Sequence, residues 1–385
     1  RIDVLRDEYI PDKIKRREKY IDIIAQRIYA PPLGRQPPNH LFIYGFPGTG
    51  KTLTNLFCME KLEEQAPAQN IKVKTIYVNC ARFRTDTAVL TEIYRQASGQ
   101  TLYQGTQLSN IFDQFCKYTD DNYEYIILVL DEVDRVIKED DRLAYLLVRA
   151  RENRDLKKAW LGLVLICNDV KTRTKLHPGT QSSFGMTGDL TYERYNEKEF
   201  FEILKERAVV AFHKGVITDD IIKLIADHIF SIGSDIRQAL SFLYEMGVIA
   251  QTQQADQLSK EHFEQAKKIV EEREIERQLL TFSNQEKIAF FALCYTYQTE
   301  ILNRDIETIY NNYEKFCTKL QTNPLTKRSI YNYLNSFTQK GFCESKTIKG
   351  INYFAPTFDP TMIAKTLTEY FNQRQQKLTN TFKEE

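Results

Sequence analysis

Gly45-Phe46-Pro47-Gly48-Thr49-Gly50-Lys51-Thr52 matches the pattern GxxxxGK[ST] at every position. A short apolar run, His40-Leu41-Phe42-Ile43-Tyr44, precedes it, and a helical pattern over 52–65 follows. Each residue type in the stretch has a physical job. Glycines let the backbone curl until its N–H groups point inward and line an anion nest. The helix that follows adds its positive N-terminal end. Lys51 brings a point charge to β- and γ-phosphates, and the Thr52 hydroxyl can ligate Mg2+. Gly45, Pro47, Gly48, Thr49, Gly50, Lys51, Thr52 and Leu53 are therefore the candidate nucleotide-binding residues, for ATP or ADP.

Outward from this loop, apolar runs recur at 74–78, 126–130 and 161–166, with helical patterns between them, for example at 142–153. Strands alternating with helices predict a parallel sheet covered on both faces. Upstream, 12–29 reads as a helix with Asp12 as N-cap, Ile21, Ile24 and Ile28 on one face, and Ala30-Pro31-Pro32 as its stop. Beyond about residue 195 the patterns are only helical, at 197–212, 219–230, 234–250 and 260–278. The last is heavily charged and reads as a connector. The remainder reads as three helices, a hairpin and a final helix. The expected architecture is α/β: a nucleotide-binding base with a parallel sheet over 1–195, a helical domain over 196–280, and a C-terminal winged helix over 281–385.

The second half of the phosphate site lies where the run 126–130 ends in Asp131-Glu132-Val133-Asp134. A strand buried on both faces delivers its carboxylate to the sheet edge beside the phosphate loop. Asp131 would join Thr52 in holding Mg2+, and Glu132 would orient and polarise the attacking water. The run 161–166 ends in Cys167-Asn168-Asp169, and Asn168 can reach the γ-phosphate or the lytic water.

Composition bounds the rest. The chain has 385 residues, and 42% of them are hydrophobic, with 23 Phe and 22 Tyr, enough to build cores in two or three domains. No apolar run approaches the ~18 residues of a membrane span, so no membrane partner is expected. Residues 1–20 are charged and carry no signal-peptide pattern. The seven cysteines form no CxxC pair and the five histidines no HExxH, which argues against disulfides and zinc and for a reducing, cytoplasmic compartment. Lys and Arg total 53 against 52 for Asp and Glu, so any nucleic-acid affinity has to come from local charge.

Such local charge is present. Between residues 315 and 349 the basic residues are Lys315, Lys319, Lys327, Arg328, Lys340, Lys346 and Lys349 against Glu344 alone, a balance of 7 − 1 = +6. The pattern over 326–339 is that of a recognition helix. Ile330, Leu334 and Phe337 would face the core, leaving Lys327, Arg328, Tyr331, Asn332 and Asn335 outward. Runs at 342–345 and 351–354 can pair as a wing with Lys346, Lys349 and Gly350 at its tip. In the usual docking the helix enters the major groove and the wing meets the backbone or minor groove. Arg suits guanine and Asn suits adenine, while the wing lysines suit phosphate. A winged helix can also dock protein.

Together, these motifs resemble the AAA+ ATPases. Asn168 stands in the sensor-1 position, and Gly233-Ser234-Asp235-Ile236-Arg237-Gln238-Ala239-Leu240 resembles the sensor-2 signature, in which an Arg of the lid reaches the γ-phosphate. Tyr9-Ile10-Pro11 followed by Arg16-Arg17-Glu18 resembles the segment that closes over adenine in the archaeal origin-recognition initiators. These are relatives of the eukaryotic origin recognition complex's largest subunit and its loading partner. Val78-Asn79-Cys80 and Ser182-Ser183-Phe184-Gly185 fit the same family. The resemblance implies nucleotide contacts from Tyr9, Ile10, Pro11, Arg17 and Arg237, and catalytic roles for Lys51, Glu132, Asn168 and Arg237. It implies a DNA-touching insertion in the base, with Arg82 and Arg84 at its start. It further implies double-stranded origin DNA, paralogous initiator subunits and the replicative helicase as partners, with slow hydrolysis as a switch. The alternatives left open are a clamp-loader-like or remodelling ATPase whose winged helix docks protein, and an adaptor that holds nucleotide without turnover. One departure stands out. Gly179 takes the place where the family has an arginine after a Pro, an arginine that can act on a neighbour's ATP.

Overall fold

The computed structural model describes all residues except 7–8, 84, 103–104, 138–140, 186–187, 234, 301–303, 349 and 382–385, and leaves undescribed the side chains of 274 and 373–381. Of the expected site residues, Arg84 and Lys349 lie outside the described residues, as does Ser234 of the lid signature. The chain divides into two compact units, residues 1–263 and 264–385.

The first unit is built on five parallel strands: β1 (Leu41–Gly45), β2 (Val73–Asn79), β3 (Tyr125–Asp131), β4 (Trp160–Cys167) and β5 (Asp189–Tyr192), in the order β2-β3-β4-β1-β5. Every residue of β3 is buried, so its alternating side chains serve two cores. Ile126, Leu128 and Leu130 pack with Val89, Ile93, Phe112 and Phe115 from the helices Asp86–Ser98 and Leu108–Asn122. Ile127 and Val129 face Cys58 and Leu62 of the helix Lys51–Gln65, with Ile24 and Ile28. Each fully buried Leu, Ile, Val or Phe contributes roughly 1.5–3 kcal/mol, so a strand buried on both faces is a rigid platform for what it carries at its end.

Three local expectations change. The strand β5 was absent from the apolar runs because Asp189-Leu190-Thr191-Tyr192 alternates and is only four residues long. The first helix begins at Glu18, not at Asp12, because Arg16 takes a left-handed φ of +63°. It does not stop at Pro31-Pro32 either. The backbone passes through a π turn over Ala25–Tyr29 and ends in a last turn over Ala30–Leu33, whose first positions tolerate proline because their N–H groups need no helical partner.

Three further helices, Glu197–Ala211, Asp219–Ser231 and Ile236–Thr252, complete the first unit's all-helical part. Asn196 and Glu199 close a reciprocal capping box on the first, and Asp235 caps the third. The charged helix Lys260–Thr281 runs across the division between the units.

The second unit packs the helices Asn284–Thr299, Ile306–Lys319 and Lys327–Gln339 with an antiparallel hairpin of β6 (Cys343–Ile348) and β7 (Ile351–Pro356), followed by the helix Pro360–Thr381. Thr326 caps Lys327–Gln339, and Ile330, Leu334 and Phe337 are fully buried as the i, i+4, i+7 spacing predicts. Phe337 stacks on Phe282 and meets the edge of Phe290, each at 5.1 Å between ring centroids.

Candidate functional site

β4 lies between β1 and β3, so the C-terminal ends of these three strands bring the phosphate loop, Asn168 and Asp131 to one edge of the sheet. Within the loop, Gly48 and Gly50 hold left-handed φ values of +71° and +88° that a side chain would strain. Gly50 is the N-cap of the helix Lys51–Gln65, so the N–H groups of its first turn open toward the loop. Lys51 is buried. Its Nζ donates to the carbonyls of Gly45 (2.8 Å) and Phe46 (2.9 Å) and to Asn168 Oδ1 (3.0 Å). Burial pulls the Lys51 ammonium below the usual lysine range; Asp131 opposes that pull and the charge of Arg237 adds to it.

Thr52 Oγ1–H donates to Asp131 Oδ2 at 2.5 Å. A hydroxyl and a carboxylate this close can share one hard cation, and Mg2+ takes few protein ligands when phosphates and waters supply the others. The residues present therefore fit Mg2+. Among the described residues no cluster of three or more His, Cys, Asp or Glu forms a metal site of the other kind. Asp131 is held by two further donors, the Glu132 N–H on Oδ1 (2.8 Å) and the Tyr77 hydroxyl on Oδ2 (3.0 Å). Burial, then the Asp131 charge, raises the Tyr77 phenol well above its usual range, which keeps it a donor.

Glu132 follows at a left-handed φ of +52°, rare for a side chain with a Cβ, and its carboxylate stands 3.9 Å from Arg135. Strained backbone of this sort clusters at functional sites. Asp134 accepts from the Asn168 N–H at 3.2 Å and so ties the end of β4 to the acidic turn.

The N-terminal segment falls in two places. Arg17 is buried behind the phosphate loop: Nε donates to the Thr49 carbonyl (2.8 Å), Nη2 to the Glu193 carbonyl and Nη1 to the Arg16 carbonyl. Its guanidinium lies 3.7 Å from the Tyr195 ring centroid, 5.1 Å from that of Tyr20 and 5.8 Å from that of Tyr192. Arg17 thus braces the loop through its backbone. Tyr9 and Pro11 line a cavity of about 280 Å³ with Arg207, Glu206 and Val210, and Arg207 sits over the Tyr9 ring; Ile10 is half-buried beside them in sequence.

Leu53 is half-buried. Arg237 lies in the first turn of Ile236–Thr252, paired to Asp235. Near Gly179, Arg173 is tied to Asp189 and to the Gln181 carbonyl, while Arg149 Nη2 donates to the Gly179 carbonyl and Ser182 Oγ, both at 3.1 Å.

On the helix Lys327–Gln339, Arg328 and Asn332 are exposed and Asn335 is half-buried. Lys327 is ion-paired to Glu307. Tyr331 departs from the outward set. It is half-buried against Phe354, and its hydroxyl accepts from Asn352 Nδ2 at 2.9 Å, which links the helix to the wing. Lys346 is exposed on β6. Tyr20, Tyr77, Tyr192 and Tyr195 went unread in the sequence, and Asp235, quoted there within the lid signature, was given no role. Tyr77, Tyr192 and Tyr195 lie far along the chain from the groups they meet.

Fold and site are those of an AAA+ ATPase carrying a winged helix. Residues 35–173 match the model of an AAA domain, 201–268 that of a Cdc6 AAA+ ATPase-type lid domain, and 277–351 that of a CDC6 C-terminal winged helix domain. The chain belongs to the family of ORC1-type DNA replication proteins. It is 30% identical over 356 residues to the one from Pyrococcus abyssi, covering 91% of this chain and 84% of that protein. It is 31% identical over 352 residues to the one from Desulfurococcus amylolyticus, covering 91% and 88%. Among solved structures it is similar to the Aeropyrum pernix ORC1 protein in complex with DNA, with a TM-score of 0.80 at 25% identity over 97% of this chain and 98% of that one. The A. pernix ORC2 protein, solved as ADPNP–ADP complexes, shares the fold with a TM-score of 0.60 at 21% identity over 97% and 98%. Among the described residues no helix is long and apolar enough to cross a membrane.

Proposed function

We propose that this chain is an ATP-dependent DNA replication initiator, active in the cytoplasm at the nucleoid. It binds double-stranded origin DNA and, with paralogous initiator subunits, helps load the replicative helicase. The observation that carries the nucleotide half is the meeting of Lys51, Thr52, Asp131 and Asn168 at one sheet edge. Thr52 and Asp131 would hold Mg2+, which neutralises phosphate charge when bound. Lys51 would exchange its loop carbonyls for phosphate oxygens. Glu132 would take the proton of the attacking water, oriented by Asn168. Tyr9, Ile10 and Pro11, beside the cavity at Arg207, would close over adenine. Hydrolysis is slow and serves as a switch. The functional division is a base over 1–195, a lid over 196–280 and a winged helix over 281–385.

The DNA half rests on the winged helix and its charge. Arg328, Asn332, Asn335 and Lys346, with Lys327, Lys349 and the insertion residue Arg84, form the proposed contact set. Its test is fluorescence anisotropy with duplex carrying candidate origin repeats against scrambled duplex, in ATP and in ADP, at several salt concentrations. Repeat-selective binding that Lys327→Ala/Arg328→Ala loses supports the reading. Binding that the double variant leaves unchanged sends the winged helix to a protein partner instead.

A further inference from the structure

The lid meets the phosphate loop through an acid. A Cβ built on Gly48 would lie 2.2 Å from Asp235 Cβ, 2.5 Å from its Cγ and 2.7 Å from its Oδ2. The bare Cα of Gly48 is what gives the Asp235 side chain its seat. The two carboxylate oxygens are divided between two tasks. Oδ1 accepts from the N–H groups of Arg237 (2.9 Å) and Gln238 (3.3 Å), capping the helix Ile236–Thr252. Oδ2 accepts from Arg237 Nε (3.1 Å) and Nη2 (2.6 Å).

Asp235 thus places a negative charge against a loop whose chemistry suits a polyphosphate. Arg237 in turn points one edge of its guanidinium at that charge. While Asp235 occupies the edge formed by Nε and one Nη2 hydrogen, that edge is closed to a phosphate, and turning it onto a terminal phosphate requires the pair to open. The pair is also cheap to break, because the Arg237 side chain is 51% exposed and that of Asp235 25%. A diphosphate offers no γ-oxygen for the fork and leaves the pair in place.

We propose that Asp235 is a positioning residue that holds Arg237 by Nε and Nη2 and hands it to the terminal phosphate of a nucleoside triphosphate, so that the exchange of partners sets the preference between triphosphate and diphosphate. This rests on the nucleotide-binding reading above.

The test is calorimetric titration of the full chain with Mg2+ and either ATPγS or ADP, for wild type, Asp235→Asn, Arg237→Ala and the double variant. Asparagine keeps the capping oxygen and removes the charge. Asp235→Asn should tighten ATPγS about five-fold, near the upper end for a half-exposed pair, and leave ADP within about two-fold. On the Arg237→Ala background, where only the relief of charge at the loop remains, it should act on both nucleotides alike and leave their ratio unchanged. An unchanged ATPγS-to-ADP ratio in Asp235→Asn, or the same gain in that ratio without Arg237, overturns the proposal. Should Asp235→Asn lower the melting temperature, Asp235→Ser, which also caps without charge, carries the same expectation. A wild type that binds neither nucleotide overturns the nucleotide-binding reading itself, a result distinct from an unchanged ratio.

Discussion

The nucleotide site and the winged-helix face are built on opposite principles. At the sheet edge, Lys51, Asp131 and Asn168 are each held by other parts of the fold, and Lys51 and Asp131 are buried. On the winged helix, Arg328, Asn332 and Lys346 stand exposed, and the Lys327–Glu307 pair is open to solvent. Phosphoryl chemistry needs charges fixed before the ligand arrives, because reorganising them at the moment of reaction would cost the stabilisation they supply. Contact with a DNA backbone needs charge density and reach, and released counterions supply much of the binding. Removing one group should therefore be all-or-none at the first site and graded at the second.

The largest expected effect tests the first half of that contrast. Lys51→Ala should abolish ATP binding in calorimetry, since three acceptors and a buried pocket are left without their cation. Glu132→Gln should keep binding and lose turnover in a phosphate-release assay. Retained hydrolysis in Glu132→Gln would remove Glu132 from its role.

Next in size is a difference in acid tolerance between the two units. His40 Nδ1 accepts from the Leu163 N–H at 3.2 Å, which requires a neutral ring, and burial pushes its pKa down to about 4. An ordinary histidine in the unfolded chain takes its proton near pH 6.5. The unfolded state therefore binds a proton first as pH falls, and the stability of the first unit should drop between about pH 6.5 and 4, by up to ~3 kcal/mol. All five histidines lie in residues 1–263. Denaturant melts followed across that range should show the loss in wild type and less of it in His40→Gln. A flat profile in wild type would reject the assigned tautomer.

The graded half is tested by salt. Each lost phosphate contact should reduce the slope of log K against log salt by about 0.9. Lys327→Ala/Arg328→Ala should lower that slope by up to about two such steps and DNA affinity by roughly ten-fold or more. An all-or-none loss with an unchanged slope would instead make this face resemble the nucleotide site.

The smallest effect concerns Tyr331. Tyr331→Phe removes the acceptor for Asn352 and keeps the ring on Phe354. It should cost about 0.5–1.5 kcal/mol of stability in the second unit. A thermal melt checks this, and no change would mean that the link between helix and wing carries no stability.

Much of this was legible in the chain. The phosphate loop, the acidic strand end and the helix Lys327–Gln339 with its buried face are local patterns, and local steric and periodic constraints suffice to read them. The gaps are equally specific. β5 is too short and too evenly alternating to stand out. The prolines at 31 and 32 look like a stop, but they sit where a last turn tolerates them. The cage around Arg17 draws on Tyr192 and Tyr195, whose approach depends on β5 pairing beside β1.

By itself, the sequence determined the chemistry available: glycines where the backbone must curl, Lys51 and Thr52 at the first turn of a helix, acids at the end of an apolar strand, and cations gathered in one segment. Those depend on neighbours in the chain. Only the tertiary structure decided who holds whom: Asn168 on Lys51, Tyr77 on Asp131, Arg17 behind Thr49 and Asp235 against Gly48. Each of these pairs joins segments far apart in sequence, brought within hydrogen-bonding or van der Waals range by strand order and by the lid's packing. No local periodicity encodes such distances.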